Sequence, residues 1–315
     1  MRFPWCFVLN MNTQKLTAYL MMATAMVTVG STIVASKLMT EMPVFVAAFM
    51  RFLIASPVLV GIVWFTGKRL PRLSRREWKT LFAQAGFCSV GYSVLMISGL
   101  SFTQASDASV VAGALPAVAA LLSIVVLRER LSKWTMLAVV FATVGVCVVN
   151  WSGSTTVGAS GARWTGNALV LSAIACEALF LLLNKTIKTP IDPLVVAATM
   201  SVLSLALCAV PALLQWARAS EPIFTARAVG AAVYYALVPT VLGFHLWYQG
   251  SSKVSGAEAS LFSAVYPIAG LLLSADLLGE IIETRHWIGI GITVLGMAAG
   301  SLSFRKSPEA ASHSA

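Results

Sequence analysis

Long apolar runs separated by short polar segments dominate the chain. Ten runs hold about 20 mostly apolar residues each, the length at which an α-helix crosses the hydrocarbon core of a bilayer. They cover approximately 16–37, 43–66, 78–99, 106–127, 133–151, 165–187, 192–215, 226–250, 257–278 and 286–304. The period-two alternation of barrel strands is absent from them, and lone strands leave backbone groups unbonded in lipid. The pattern predicts an all-α integral membrane protein with ten transmembrane helices.

Composition supports a lipid-embedded chain. Of the 315 residues, 58% are hydrophobic and 11% are charged, against about 25% charged in soluble domains. The five cysteines have no CxxC spacing, so we expect neither a metal site nor a disulfide framework, and no cofactor. The first run follows Lys15 and lacks a clear cleavage site, so we interpret it as an uncleaved helix. Met1 and Met11 are both candidate starts.

Basic residues indicate how the chain is oriented. With a cytoplasmic N-terminus, 16 of the 22 Lys and Arg residues fall in inner segments, five fall in outer segments, and Arg51 lies within a run. The segment "KRLPRLSRREWK" from Lys68 carries six of the inner ones. The positive-inside rule therefore places both termini in the cytoplasm, with the protein in the cell (inner) membrane. The net charge of +10 is spread between apolar runs, which argues against a nucleic-acid partner.

The chain also repeats itself. "PVFVAAFMRF" from Pro43 matches "PLVVAATMSV" from Pro193, although Arg51 in the first copy becomes Ser201 in the second. The sequence therefore predicts a five-helix repeat over 16–151, a flexible external linker over 152–164 and a second repeat over 165–304. Because five is odd, the second copy is inverted in the membrane. Inverted repeats are typical of secondary transporters, whose site lies between the halves.

Both halves also carry a proline, a glutamate 13 residues later and a glycine 16 residues after that, in "LPAVAALLSIVVLRE" and "YPIAGLLLSADLLGE". With the ten runs, the basic loop after the second and "MRF" at Met50, the chain over about 16–304 resembles the drug/metabolite transporter superfamily, in its ten-helix EamA-like branch. The resemblance implies a carrier. It leaves the substrate open, because that family includes amino-acid and metabolite exporters, drug exporters and uptake carriers.

Two charged residues within the runs are the sharpest candidates for a transport site. Glu177 lies near the centre of the sixth run, where a carboxylate costs about 2.5 kcal/mol or more. It could exchange a proton for coupling or bind a solute amine, or it could be a protonated acid bonded between helices. Arg51 shares a helical face with Ala47, Ala48 and Ala55. It could bind a solute carboxylate bidentately, or it could be a structural arginine bound to helix-end carbonyls.

Polar and aromatic residues on other runs extend this candidate site. His245 lies on a helical stripe with Tyr234, Val238, Leu242 and Gln249, and Trp247 and Tyr248 lie beside it. Tyr92 and Ser93 lie at a comparable level on the third run, and Asn184 continues the face of Glu177. Aromatic walls with a few polar groups suit a small amphipathic solute. Part of the aromatic set could instead belong to the interfacial belt.

The remaining polar and small residues have mainly structural interpretations. Pro116 and Pro267 lie mid-run and each free a carbonyl four residues back, so they could be hinges or packing kinks. Asp107 and Glu258 begin helices, where an acid favours the dipole, and Glu129 and Glu280 are expected to cap the helices that follow. "GMAAG" from Gly296 predicts close packing, within the monomer by default or in a homodimer.

The favoured function is a secondary carrier that exports a small metabolite, with amino acids and related amphipathic solutes first and protons as a candidate coupling ion. A multidrug or organic-cation exporter of the same fold is the alternative. A membrane-embedded enzyme would need paired acids or a nucleophile with its base, and none is visible in the runs. A channel would need pore-lining rings in parallel around an axis, whereas these repeats are inverted. No "GxxxxGK[ST]" motif is present, so direct use of ATP is not expected.

Overall fold

A computed structural model of the chain describes residues 5–126, 133–151, 157–219, 224–254, 259 and 261–305. Within these residues the structure is helical and holds no strand, which confirms the all-α prediction. The helices, numbered in chain order, are α1 Trp5–Leu38, α2 Val44–Phe65, α3 Arg75–Leu100, α4 Ala105–Ala112, α5 Leu115–Val126, α6 Lys133–Asn150, α7 Val157–Asn184, α8 Pro193–Arg218, α9 Ala226–Ser251, α10 Val265–Leu278 and α11 Thr284–Arg305.

Helix length and composition identify the membrane-crossing elements. Among the described residues, seven helices are long and apolar enough to cross a membrane, and an eighth is added if the bent pair α4 and α5 counts as one span. Helix α10 is a shorter apolar helix of 14 residues. The structure therefore describes a multi-pass membrane protein with seven to eight candidate spans, fewer than the ten that the apolar runs predict.

Two predicted segments differ from the observed helices. Helix α7 begins at Val157, so the second part of the predicted linker 152–164 is helical. The first part, 152–156, lies outside the described residues. The fourth run bends by 48° between α4 and α5, at the break that precedes Pro116.

The strongest helix packing joins the two halves of the sequence. Helix α6 packs along α11, α2 along α8, α1 along α10 and α3 along α7. Helices α5 and α7 also pack together, as do α1 and α9. In the repeat, α1 corresponds to α7, α3 to α9, and the pair α4 and α5 to α10. The packing of α1 against α10 therefore has its counterpart in the packing of α7 against α4 and α5. The packing of α3 against α7 has its counterpart in that of α9 against α1. The contacts therefore follow a two-fold pattern that puts a shared space between the halves.

Glycines allow the closest of these approaches. A methyl carbon at Gly99 of α3 would lie 2.9 Å from the Gly166 carbonyl oxygen of α7, and one at Gly166 would lie 2.8 Å from the Gly99 carbonyl oxygen. On α11, a methyl carbon at Gly296 would lie 2.9 Å from Cβ of Phe141 on α6. The first glycine of "GMAAG" thus packs within the chain, and the side-chain surroundings of Gly300 lie outside the described residues.

Candidate functional site

A cavity of about 280 Å³ lies between α1, α2, α3, α7, α8 and α9. Its walls are aromatic and small polar side chains with two charged groups among them. The aromatic residues are Phe52, Tyr92, Phe180, Tyr235 and Phe244, and the hydroxyl residues are Thr32, Ser89, Ser201 and Thr240. Among the described lining residues, the charged ones are Arg51 and Glu177. Apolar walls with a few oriented polar groups are typical of a site for a small molecule.

The Arg51 guanidinium is held from two sides. Its NH1 group donates a hydrogen bond of 2.9 Å to Ser93 Oγ on α3, and its Cζ lies 4.0 Å from the ring centroid of Tyr235 on α9. The small residues Ala47 and Ala48 on α2 are fully buried, which lets neighbouring helices approach the arginine. Within the described part of the chain, Arg51 Nε is buried and has no hydrogen-bond partner. One donor of the guanidinium is therefore left for a ligand.

The Glu177 carboxylate lies in the same cavity on α7. Its Oε2 atom is buried and has no hydrogen-bond partner among the described residues. No ion pair joins Glu177 to Arg51 within the part of the chain that the structure describes, although both line the cavity. In the sequence, Ala173 and Leu181 share the helical face of Glu177, which predicts that both face inward. Ala173 is fully buried as predicted, whereas Leu181 is 47% exposed. An unpaired carboxylate at this depth can take a proton or bind a cation.

Two π-helical turns position the groups around the cavity. The turn Gln84–Val90 in α3 carries Ser89, and the turn Val238–Gly243 in α9 carries Thr240. Such turns recur at functional sites because they interrupt the i→i−4 ladder. Ser89 anchors the first turn, since its carbonyl accepts a bond of 3.1 Å from Ser93 Oγ and its hydroxyl lies 2.9 Å from Ser204 Oγ of α8.

The structure brings some of the predicted site residues together and separates others. Arg51, Tyr92 and Glu177 line the cavity. Ser93 does not line it but accepts a hydrogen bond from Arg51. Four other predicted residues do not line it. These are His245, Trp247, Tyr248 and Asn184. Asn184 is the last residue of α7, about 10 Å along the helix from Glu177 at 1.5 Å per residue, so a shared face does not place both at one site.

The predicted stripe on α9 is wrong about which side faces inward. Tyr234 and Leu242 are 39% and 47% exposed, and His245 is also exposed. The adjacent face, with Tyr235 and Pro239 buried, borders the cavity instead. The mistake has a physical cause. Lipid is as apolar as a helix interface, so a helical stripe alone does not show which side is buried. Tyr248 packs against Phe244 with ring centroids 4.6 Å apart.

The two prolines lie in first turns and not in helix interiors. Pro116 is the second residue of α5 and Pro267 the third residue of α10. Because proline lacks an N–H, a helix accepts it in the first turn, where that donor would be unbonded anyway. Neither lines the cavity. A hinge role for these two residues stays a prediction.

Several lining residues were missed from the sequence, and the repeat could have found two of them. Ser201 is the counterpart of Arg51 in the second copy of the repeated phrase, and Thr240 is the counterpart of Ser89 at the spacing that relates Gly99 to Gly250. Both members of each pair line the cavity. For Tyr235 no sequence signal was available, because its neighbour Tyr234 fits a helical stripe equally well.

A second polar cluster lies away from the cavity, around Asp107 on α4. The Asp107 carboxylate is fully buried and lies 3.1 Å from Arg285 NH1, 3.5 Å from Arg163 Nε and 2.8 Å from His286 Nε2. The backbone N–H of Glu283 donates to His286 Nδ1 at 2.9 Å, so the ring hydrogen lies on Nε2 and is donated to Asp107. The hydrogen bond from Arg285 holds the pKa of the Glu283 carboxyl below its usual range, against a smaller opposing effect of burial.

Glu280 binds the start of α4, two residues before Asp107. Its carboxylate oxygens accept hydrogen bonds of 2.9 and 2.8 Å from the N–H groups of Ala105 and Ser106. The expected capping role is therefore present, but it acts on α4 of the other half and not on the helix that follows. Asp107 lies in the first turn of α4 as predicted. Glu129 and Glu258 lie outside the described residues.

Comparison with known proteins decides the family. A model of the EamA-like transporter family matches residues 16–151 and 164–301. The chain belongs to the EamA-like transporter family. It is therefore a membrane-embedded, multi-pass transporter, and its family points away from an enzyme. Membership also accounts for the two similar halves.

Relatives of this EamA-like transporter agree with that assignment. Uncharacterized transporter YetK of Bacillus subtilis (strain 168) is 30% identical over 298 residues, which cover 94% of this chain and 90% of the relative. The probable terminal-alkyne amino-acid exporter of Streptantibioticus cattleyicolor is 25% identical over 256 residues, covering 78% of this chain and 80% of the relative. A solved crystal structure shares the fold with a TM-score of 0.64 at 19% identity, covering 91% of this chain and 98% of that one.

Proposed function

We propose that this EamA-like transporter exports a small zwitterionic metabolite, such as an amino acid with an apolar side chain, by alternating access. The observation that carries the proposal is the pair of unbonded charged atoms in one cavity, Arg51 Nε and Glu177 Oε2. A solute carboxylate would bind Arg51 and its ammonium group would bind Glu177. The aromatic walls would cover the apolar side chain. Unpaired buried charges are costly, and a zwitterion would compensate both at once.

Alternating access is supported by how the two halves meet. The inverted five-helix repeats inferred from the sequence would put one half upside down against the other, and the two-fold pattern of helix contacts is what such an arrangement produces. The repeat pairs that line the cavity, Arg51 with Ser201 and Ser89 with Thr240, support a site on the axis between halves. Rocking about that axis would open the site to either side of the inner membrane, with both termini cytoplasmic.

Export of an amino acid is the favoured direction and substrate class for two reasons. The cavity offers one group of each sign, as a zwitterion requires. The relative from Streptantibioticus cattleyicolor is named as a probable terminal-alkyne amino-acid exporter. Proton coupling is part of the proposal. Glu177 could carry a proton in one direction after releasing a solute ammonium group, which would link flux to a pH gradient.

An organic-cation exporter is the second candidate, and one feature of the cavity favours it. Five aromatic rings line the cavity that holds the Glu177 carboxylate, and aromatic faces attract cations. In that case Arg51 would stabilise the fold and would not bind the solute. The two candidates differ in whether a solute carboxylate is needed for binding.

Counterflow in proteoliposomes separates the two candidates. The solutes are phenylalanine, phenylalaninamide, which lacks the carboxylate, and 3-phenylpropionate, which lacks the amine. We expect a preference for phenylalanine of about 10-fold or more over either analogue, since a charge-assisted hydrogen bond contributes about 1.5–3 kcal/mol. Arg51→Gln should remove the preference over the amide, and Glu177→Gln the preference over the acid. His245→Gln, on the exposed side of α9, is the matched control.

Two results would contradict the proposal. Stronger flux of the amide than of phenylalanine would favour the organic-cation exporter, and no flux of any of the three would exclude this solute class. The orientation is tested separately with topology reporters. A reporter after Pro71 should be cytoplasmic and one within 154–160 external, and finding both on one side would rule out the inverted arrangement.

A further inference from the structure

Tyr235 is the closest aromatic neighbour of the Arg51 charge. It lies on α9, in the second half of the chain, and is only 4% exposed. Its ring centroid is 4.0 Å from Arg51 Cζ, closer than the 5.0 Å between that atom and the ring of Phe52. A guanidinium over an aromatic face is attracted by the negative charge density of the ring, and the attraction grows as water is excluded. Tyr235 therefore stabilises a buried charge that would otherwise seek another partner.

The oppositely charged group in the same cavity is the carboxylate of Glu177. Arg51 and Glu177 both line it, carry opposite charges and still form no direct ion pair among the described residues. Arginine has a long flexible side chain with several rotatable bonds, so its position depends on the groups that hold it. Here Ser93 holds NH1 at 2.9 Å and Tyr235 covers the plane of the group. The guanidinium is thus held without an ion pair to Glu177, and Arg51 Nε and Glu177 Oε2 both stay unbonded among the described residues.

The backbone around Tyr235 is arranged to fix that ring. Pro239 lies four residues after Tyr235 and has no N–H, so the Tyr235 carbonyl cannot receive the regular helical bond. The hydroxyl of Thr240 donates to this carbonyl instead, at 2.9 Å. Pro239 and Thr240 both lie in the α9 π-helical turn, which begins at Val238. Proline and threonine together therefore give the tyrosine a fixed place beside the cavity.

We propose that Tyr235 is a positioning residue that sets the specificity of the site for a solute carboxylate. It acts through Arg51: the ring holds the guanidinium apart from Glu177, so a carboxylate from the solute can take the place that Glu177 would otherwise occupy. The inference rests on the proposed function, because it assumes that Arg51 binds a carboxylate. Without the ring, Arg51 pairs with Glu177 and the two charges cancel inside the empty site.

The test compares apparent affinities for phenylalanine and phenylalaninamide in proteoliposome counterflow. Tyr235→Leu should reduce the preference for the carboxylate by about 10-fold, which corresponds to about 1.4 kcal/mol and lies between the exposed and the desolvated values of a cation–π contact. The loss should appear in the half-saturation concentration of phenylalanine more than in its maximal rate. Tyr235→Phe keeps the ring and should retain the preference. Tyr234→Leu is the matched control, because Tyr234 does not line the cavity and its hydroxyl lies 2.8 Å from Ser31 Oγ on α1.

A second variant tests the same idea from the other partner. If Arg51 collapses onto Glu177 when the ring is lost, then adding Glu177→Gln to Tyr235→Leu should restore binding of 3-phenylpropionate to within about threefold of that of Glu177→Gln alone. Ser93→Ala removes the other contact of the guanidinium and should weaken the carboxylate preference in the same direction as Tyr235→Leu, which covers the case in which Tyr235→Leu fails to fold.

The outcomes distinguish a failure of the role of Tyr235 from a failure of the proposed transport function. A wild-type protein without any preference for phenylalanine over its amide overturns the proposed function. A wild-type preference that persists in Tyr235→Leu overturns the role of Tyr235 alone. If Tyr235→Phe loses the preference as fully as Tyr235→Leu, the hydroxyl and not the ring is responsible, and positioning through the ring is wrong.

Discussion

The crossing of α3 and α7 should fail when its glycines gain a methyl group. Gly99 and Gly166 face each other, and a methyl carbon on either would lie within 2.9 Å of the other's carbonyl oxygen. Side chains also occupy the space that an added methyl carbon would need. Val170 Cγ2 would lie 2.9 Å from a methyl carbon at Gly99, and Thr103 Cβ would lie 2.8 Å from one at Gly166. Because backbone atoms are involved, only a separation of the helices makes room.

The magnitude follows from two opposing effects. Carbon atoms pack at about 3.5–4.0 Å, so each substitution forces a shift of more than half an ångström, and overpacking of this kind costs about 1–3 kcal/mol. Rigid backbone neighbours place it at the upper end. Alanine regains about 1 kcal/mol through its helix propensity. The expected net loss is therefore about 2 kcal/mol for either single variant.

The assay is thermal unfolding in detergent, followed by the fraction that stays monodisperse. Gly99→Ala and Gly166→Ala should each lower the midpoint by about 4–8 °C, at about 2–4 °C per kcal/mol. The double variant should lose less than the sum, because helices that have separated for one methyl group accommodate the second. Gly230→Ala on α9, where nothing lies within 4 Å of the added carbon, should not lower the midpoint. Strict additivity, or single variants as stable as wild type, would refute the close crossing.

Three further predictions concern charge, coupling and bending. Asp107→Asn removes the buried carboxylate that faces Arg285, Arg163 and His286, whereas Arg285 keeps its ion pair with Glu283. Folding should therefore lose about 1–3 kcal/mol, and an unchanged unfolding midpoint would show that the ion pairs around Asp107 add nothing to stability. Glu177→Gln should weaken phenylalanine binding by about 10-fold. At saturating solute it should still exchange at equal pH but lose the acceleration by an imposed pH gradient, whereas full gradient-driven flux would leave Glu177 without a coupling role. Replacing Pro116 and Pro267 together by alanine should slow counterflow but not membrane insertion, and normal flux would reduce both prolines to packing.

Charge gave the strongest sequence signal for the site residues, and Tyr92 is the uncharged predicted residue that lines the cavity. Arg51 and Glu177 stand out because a charged side chain within an apolar run is costly wherever it points, and the structure places both beside one cavity. His245 and Tyr248 carry no such penalty near a helix end, where aromatic and amphipathic side chains also face lipid or headgroups. Their predicted inward stripe was therefore a choice between two faces that the pattern could not distinguish.

The amino-acid sequence by itself determined that this protein lies in a lipid bilayer and which family it belongs to. Apolar runs of bilayer length leave the helix as the element that satisfies its own backbone, and the repeated phrases and the paired proline–glutamate–glycine spacing carry the family. The tertiary structure decided what those helices present to one another. In the folded chain Tyr235, and not Tyr234, contacts Arg51, and Ser93 accepts a hydrogen bond from Arg51. Arg51 and Glu177 line one cavity without an ion pair between them among the described residues. These choices depend on π-helical turns and on crossings at Gly99 and Gly166, which rotate and bring together faces that are equally apolar in sequence.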